Sequence, residues 1–223
     1  PTIRPHRVAV SSDIPLARGL GSSSSAIVAG IEIADKIGNL KLTKQQKLEI
    51  ATKLEGHPDN VAPAIFGNLV VSSYNGNNVT SVVANLPELR FVAYVPNATL
   101  LTKESRGVLP NSLPFKVAIE GSGVGNTLVA ALMNGELDKA GKMIEADRFH
   151  EHYREKLVPY LKEIRELAHP LGVYGTYLSG AGPTVMMLVH EKIAAMVAKE
   201  LSKKFTAGKF LVMEVDNVGC KIE

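Results

Sequence analysis

Three short runs of this sequence combine residue types that can do chemistry. The first is Pro15-Leu16-Ala17-Arg18-Gly19-Leu20-Gly21-Ser22-Ser23-Ser24-Ser25. Its two glycines let the backbone fold tightly and approach a ligand closely. Four hydroxyls follow, and an apolar helical pattern begins at Ala26. A helix N-terminus presents unbonded N–H groups and a positive partial charge, so in physical terms this run is a phosphate cradle. It is not a Walker loop, because no Lys follows the second glycine, and it lacks the third glycine of the dinucleotide fingerprint. The alternative is a loop that only caps the helix, although four consecutive serines exceed what one cap requires.

The second run is Glu55-Gly56-His57-Pro58-Asp59-Asn60, ahead of the apolar Val61-Ala62-Pro63-Ala64-Ile65-Phe66. Glu55 offers a hard oxygen ligand suited to Mg2+, which takes one or two protein carboxylates beside phosphates and waters. His57, Asp59 and Asn60 can position a small polar substrate. The same residues also make an ordinary helix end followed by an Asx turn. The third run is Ser179-Gly180-Ala181-Gly182-Pro183-Thr184 between two strands. It is longer than a tight hairpin turn needs and is a second candidate anion nest, or else a wide bulged loop. Arg106 and Arg154 bear permanent charges that bind carboxylates bidentately, so a pair of them can clamp an amino-acid carboxylate. The alternative for both is solvated surface charge. Gly121–Gly125 reads as a flexible junction, and Cys220 as an inert thiol with no base nearby in sequence.

Composition narrows the partners. The 223 residues are 45% hydrophobic and 21% charged, enough for one large domain or two small ones. Twenty-five Lys+Arg against 22 Asp+Glu give a net charge of +3. That is no strong field for nucleic acid or an anionic membrane. Absence of Trp and 5% aromatics are poor for base stacking. The single cysteine cannot form an intrachain disulfide, which fits a cytoplasmic protein. His150 and His152 are too close in sequence to share a helix face, so no zinc spacing survives. The uncharged stretch 170–189 is broken by glycines and prolines and reads as strand, turn, strand instead of a membrane span.

The elements that must position these runs follow from periodicity. Arg7–Ser12 alternates as a short strand. A helix runs over 26–37 and stops at Gly38-Asn39; the next starts at Thr43, with Gln46 completing a capping box, and ends near Gly56. Leu69–Ser73 and Thr80–Ala84 flank Asn75–Asn78 as a hairpin. Pro87 marks a boundary. Beyond it come a strand at Leu89–Val95 and helices over 116–133, 137–148 and 157–169. Strands at 173–179 and 184–189, a helix over 191–205 and a strand at 210–215 complete the chain. The second half suits an open α+β sandwich with helices on one face of a sheet.

Pro15…Gly19-Leu20-Gly21-Ser22-Ser23 resembles the ATP-binding signature of the GHMP small-molecule kinases, and Ser179–Thr184 resembles their C-terminal glycine motif. The string His57-Pro-Asp-Asn-Val-Ala-Pro-Ala-Ile-Phe-Gly67 is similar to the homoserine-phosphorylating branch of that family. The resemblance spans almost the whole chain in the expected order. It implies an α+β, two-domain GHMP-kinase fold. Residues 1–87 would be a ribosomal-protein-like ATP-binding domain, partial here, and 88–223 a ferredoxin-like sandwich. The family carries a further segment ahead of the first motif, so the sequence reads as lacking its N-terminal part.

The resemblance also implies roles. Residues 15–25, with Gly180 and Gly182, would hold ATP. Ser23 and Glu55 would hold Mg2+. His57, Asp59, Asn60, Thr102, Arg106 and Arg154 would contact the substrate, and the catalytic set would be Asn60, Glu55 and Ser23. Mevalonate-type relatives place an Asp base where Asn60 stands, and Asn cannot take a proton. The implied activity is ATP-dependent phosphorylation of the L-homoserine hydroxyl in threonine biosynthesis, by direct in-line transfer. The alternatives are a kinase of this fold for another small alcohol such as mevalonate, or a non-catalytic regulator. The expected partners are L-homoserine and ATP, with no nucleic acid and no membrane, and a homodimer is left open.

Overall fold

The computed structural model describes residues 5–222, apart from the Thr102 side chain. The chain divides into two compact units. One takes residues 5–16, Gly21–Asn85 and 216–222; the other takes Ala17–Leu20 and Leu86–Val215. The change at Asn85–Leu86 lies beside Pro87, where the sequence places its boundary. Two short segments depart from a single cut. Residues 216–222 join the first unit because Asn68 N–H donates to Asp216 O (2.7 Å) and Cys220 N–H to Ala64 O (3.0 Å). Residues 17–20 join the second because the Arg18 side chain is held by the Pro96 and Asn97 carbonyls.

The first unit contains α1 (Ser22–Gly38), α2 (Lys44–Glu55), α3 (Val61–Phe66) and the hairpin β1 (Leu69–Tyr74) and β2 (Val79–Ala84). Its core joins Val28 and Ile31 of α1, Leu48 and Ala51 of α2, Val61, Ala62 and Ile65 of α3, and Val79. The periodic apolar stripes of α1 and α2 meet the short apolar helix α3 there. Asn39 ends α1 in the left-handed conformation, its N–H donating to Asp35 O and Lys36 O. Thr43 starts α2 with the expected capping box: its hydroxyl accepts from Gln46 N–H, and its own N–H donates to Gln46 Oε1 at 2.9 Å. Lys47 is buried between Glu32 (2.6 Å) and Asp35 (2.8 Å), which ties α2 to α1. The hairpin turn is closed by Asn75 Oδ1, which accepts from the N–H groups of Asn77 and Asn78.

The strand expected at Arg7–Ser12 is absent. No strand among the described residues pairs with it, and Val8 and Val10 are exposed. Alternation suits a strand only where a neighbour supplies the ladder.

The second unit holds β3 (Arg90–Pro96), α4 (Thr102–Gly107), α5 (Phe115–Met133), α6 (Leu137–Ile144), α7 (Glu151–Arg154), α8 (Tyr160–Ala168), β4 (Gly175–Leu178), β5 (Val185–Val189), α9 (Glu191–Ser202) and β6 (Gly208–Met213). The strands form one antiparallel sheet in the order β4-β5-β3-β6. Every residue of β5 is buried, as a central strand requires. Val92, Tyr94, Val185, Met187 and Val189 pack under α8 and α9. The alternating residue Leu188 packs with Phe91 under α5 and α6, so helices cover both faces and not the single face expected.

Three local expectations are corrected. Gly121–Gly125 is not a junction but lies inside the 19-residue α5. A Cβ at Gly121 would lie 2.5 Å from the Phe149 ring, so the glycine makes room for packing. The segment 157–169 is not one helix, because Val158 before Pro159 leaves the helical region (φ −134°, ψ 64°) and α8 starts afresh. The helix expected over 137–148 ends at Ile144, and the residues beyond it serve the sheet edge. Thr176 N–H on edge strand β4 donates to Glu145 (2.8 Å), and Leu178 N–H donates to Glu151 (3.0 Å). Arg165 bridges both carboxylates. Two acidic side chains thereby satisfy an edge that would otherwise be open, and fix the strand leading into Ser179.

Candidate active site

In the first unit the serine run is the first turn of α1. Gly21 occupies the N-cap in the left-handed conformation (φ 78°) and supplies no side-chain cap. Ser23 Oγ donates to Glu55 Oε2 at 3.2 Å and Ser24 Oγ to Glu55 Oε1 at 3.1 Å. Ser25 Oγ instead donates to Ser22 O. Glu55 is the last residue of α2, turned out of the helix by left-handed Gly56 (φ 90°). Its carboxylate therefore sits against the positive end of α1, a favourable place for negative charge. The structure brings Ser23 and Glu55 together. Ser24 pairs with the same carboxylate, a contact that only the placing of consecutive serines in one helical first turn hints at in the sequence.

After Gly56 the chain turns through His57 and Asp59, whose side chains are in contact through His57 Nδ1 and Asp59 Oδ1. Asn60 is the N-cap residue of α3, yet its side chain makes no capping bond. The exposed Asn60 amide has no hydrogen-bond partner among the described residues. An asparagine at an N-cap ordinarily bonds the helix backbone, so this one is left available to a ligand.

In the second unit the segment Ala17–Leu20 is clasped by the glycine loop. Ser179 Oγ donates to Gly19 O (2.8 Å), and Thr184 N–H donates to Arg18 O (3.3 Å). Gly19 (φ 73°) lies so close that a Cβ there would sit 2.4 Å from Ser179 O and 2.8 Å from Gly182 O. Gly180 and Gly182 are themselves left-handed (φ 53° and 82°). Gly182 N–H donates to Ser179 O, which closes the loop. Arg18 Nε and Nη2 donate to Pro96 O (2.9 Å) and Asn97 O (2.7 Å) at the end of β3. Those bonds make Arg18 an anchor of the loop. Leu16 is exposed, and Leu20 packs with Ala93 and Val95 on the sheet.

The two arginines differ. Arg106 is exposed on α4, whereas Arg154 on α7 is buried. Arg154 Nε donates to Ser105 O (3.1 Å) and Nη1 to Gly180 O (3.2 Å). Its Nη2 has no hydrogen-bond partner among the described residues. Burial lowers the Arg154 pKa from its ordinary value; the Asp147 charge opposes that and the Arg106 cation adds to it. A partly desolvated guanidinium beside a second cation is a ready site for an anion. Reading Arg154 as surface charge therefore fails. Thr102 lies in the first turn of α4, and its side chain lies outside the described residues.

Cys220 packs partly against the core of the first unit, and burial raises its thiol pKa, in line with an inert residue. No helix among the described residues is long and apolar enough to cross a membrane. The stretch 170–189 forms β4, the glycine loop and β5, as its breaks suggest.

Residues 2–68 match the model of the GHMP kinases N terminal domain, and residues 128–207 match GHMP kinases C terminal. A homoserine kinase from Streptococcus thermophilus is 52% identical over 221 residues, which cover 99% of this chain and 77% of that one. A homoserine kinase from Streptococcus sanguinis is 51% identical over 223 residues, 100% of this chain and 77% of that one. The crystal structure of homoserine kinase from Cytophaga hutchinsonii superposes with a TM-score of 0.85 at 28% identity, covering 95% of this chain and 70% of that one. The chain belongs to the homoserine kinases of the GHMP kinase family.

The GHMP kinase α+β fold expected from the motifs is therefore the observed one. Within this homoserine-kinase chain, one carboxylate and adjoining hydroxyls at a helix start form a set of hard oxygen donors. No cluster of three His, Cys, Asp or Glu that could hold a metal occurs among the described residues. That donor set fits Mg2+, which needs few protein ligands when phosphates and waters complete its shell, and does not fit zinc.

Proposed function

We propose that the chain transfers the γ-phosphoryl group of ATP to the side-chain hydroxyl of L-homoserine, giving O-phospho-L-homoserine and ADP. The observation that carries the reading is Asn60, whose exposed amide makes no capping bond, can orient an alcohol acceptor and cannot itself accept a proton. Asn60 aligns the homoserine hydroxyl for in-line attack, and the proton leaves through phosphate or water. A loose transition state asks for little proton transfer before the bond to phosphorus forms, so alignment and charge stabilisation suffice. His57 is steadied by Asp59 and contacts the amino-acid part of the substrate. Arg106 and Arg154 hold its carboxylate, and Thr102 is assigned to substrate contact. Ala17–Leu20 and the first turn of α1 receive the nucleotide phosphates, and the clasp by Gly180 and Gly182 keeps Gly19 in place. Glu55 and Ser23 would hold Mg2+, which would supply positive charge to the phosphoryl oxygens. The reaction is assigned to the cytoplasm as a step of threonine biosynthesis.

An ADP-release assay of the full chain with homoserine, mevalonate and galactose tests the reading. Turnover is expected with homoserine alone, and turnover with mevalonate in its place would overturn the acceptor assignment. Asn60→Ala is expected to lower kcat about a hundredfold, the cost of losing one positioned group at the reacting centre. An unchanged kcat and an unchanged KM for homoserine would remove Asn60 from the mechanism.

A further inference from the structure

Ser105 is a fully buried polar residue that the reaction chemistry has not so far used. It lies on α4 immediately before Arg106. Its hydroxyl donates to Ala181 O at 2.6 Å, inside the glycine loop. Its carbonyl accepts from Arg154 Nε at 3.1 Å, and Arg154 Nη1 reaches back to Gly180 O at 3.2 Å. These three bonds close a ring from α4 through the loop to α7 and back to α4. The neighbouring loop carbonyls of Ser179 and Gly182 are those that crowd Gly19. One small residue therefore connects both arginines to the loop that grips Gly19.

We propose that Ser105 is a positioning residue that fixes the carboxylate-binding pair Arg106 and Arg154 in register with the glycine loop. The proposal rests on the reading that those arginines hold the homoserine carboxylate. The physical reason is asymmetric. Removing the Ser105 hydroxyl leaves the Ala181 carbonyl without its only side-chain donor among the described residues and breaks the direct bond between α4 and the loop. Arg154 then retains its charge and its bonds to the Ser105 and Gly180 carbonyls, but the Ser105 carbonyl that sets its angle is no longer held to the loop by the Ser105 side chain. A bidentate fork is sensitive to such a shift, whereas a diffuse attraction is not. Recognition of the carboxylate should suffer, and handling of an acceptor without a carboxylate should not.

The experiment compares kcat/KM for homoserine with that for 3-aminopropanol, which is homoserine without its carboxylate, in the full chain. Arg106→Ala is made in parallel because its exposed side chain can be removed without opening the core. Arg106→Ala is expected to erode the preference for homoserine. Ser105→Ala is expected to reduce that preference about tenfold, through KM for homoserine, with KM for ATP held within about twofold. Ser105→Cys keeps the volume with a weak donor and is expected to give a smaller loss; it supplies the measurement if the alanine variant folds poorly. If Arg106→Ala erodes the preference but both Ser105 variants leave it intact, or lower both substrates equally, the positioning role is wrong. If Arg106→Ala leaves the preference unchanged, the arginine reading fails and the proposal falls with it.

Discussion

Gly19→Ala lowers kcat/KM for phosphoryl transfer by about a hundredfold or more, the scale on which misplacement of bound groups by about an ångström acts. Two independent penalties meet at this position. The backbone is left-handed at φ 73°, a conformation that a Cβ disfavours. A Cβ would also lie 2.4 Å from Ser179 O and 2.8 Å from Gly182 O, and both are main-chain atoms that cannot rotate away. The segment has little freedom to move as a whole. Arg18 is anchored on Pro96 and Asn97, Thr184 N–H holds Arg18 O, and Ser179 Oγ holds Gly19 O. Either the clasp opens or the glycine loop shifts, and both displace groups assigned to phosphate. Gly21 is the matched control. It has nearly the same dihedral (φ 78°) but open space where a Cβ would go. Gly21→Ala carries the strain without the collision, and its loss is expected within about tenfold. Steady-state kinetics on both variants, with a thermal melt for each, makes the comparison. Equal losses would show that backbone strain alone matters and that the clasp does not.

The contrast between those two glycines marks how far the sequence can be read. The run Gly19–Ser25 identifies a phosphate loop ahead of a helix, because glycine freedom and a helix start are local properties. Which glycine is trapped depends on residues about 160 positions later, and no local pattern encodes that meeting. The same division holds elsewhere. α1, α2, the hairpin and the capping box at Thr43 are legible because each is specified by neighbours in sequence. Helices α3, α4 and α7 have six residues or fewer. They show no period to detect, and α4 and α7 carry the arginines. Arg154 looks like surface charge in isolation because burial of a guanidinium depends on the carbonyls of Ser105 and Gly180, which the fold delivers. The strand expected at 7–12 fails for the converse reason: its alternation is local, but pairing is not.

Glu55→Gln is expected to lower kcat by about two to three orders of magnitude, comparable to removal of a principal electrostatic group from an active site. The substitution is nearly isosteric: of the Ser23 and Ser24 hydroxyls that now donate to the two carboxylate oxygens, one can still donate to the amide oxygen and the other can turn to accept from the amide NH2. What disappears is one negative charge at the N-terminus of α1. The helix end keeps its positive partial charge and the serines keep their places, so an anionic phosphate could still dock there. Binding of the nucleotide phosphates is therefore expected to be kept while turnover falls. The lost charge is also the only carboxylate in the donor set, and a neutral amide is a much weaker ligand for a hard divalent ion. Measured as a titration of activity with Mg2+, the variant should need a higher concentration for half-maximal rate, while KM for homoserine changes little. Thermal stability should change little, because Glu55 is only half-buried and an amide can keep one bond to each serine, one of them reversed. A rise in KM for homoserine with kcat and the Mg2+ dependence unchanged would instead place Glu55 on the substrate. Full activity at the wild-type Mg2+ requirement would leave the Ser23–Glu55 pair a structural joint between α1 and α2 and nothing more.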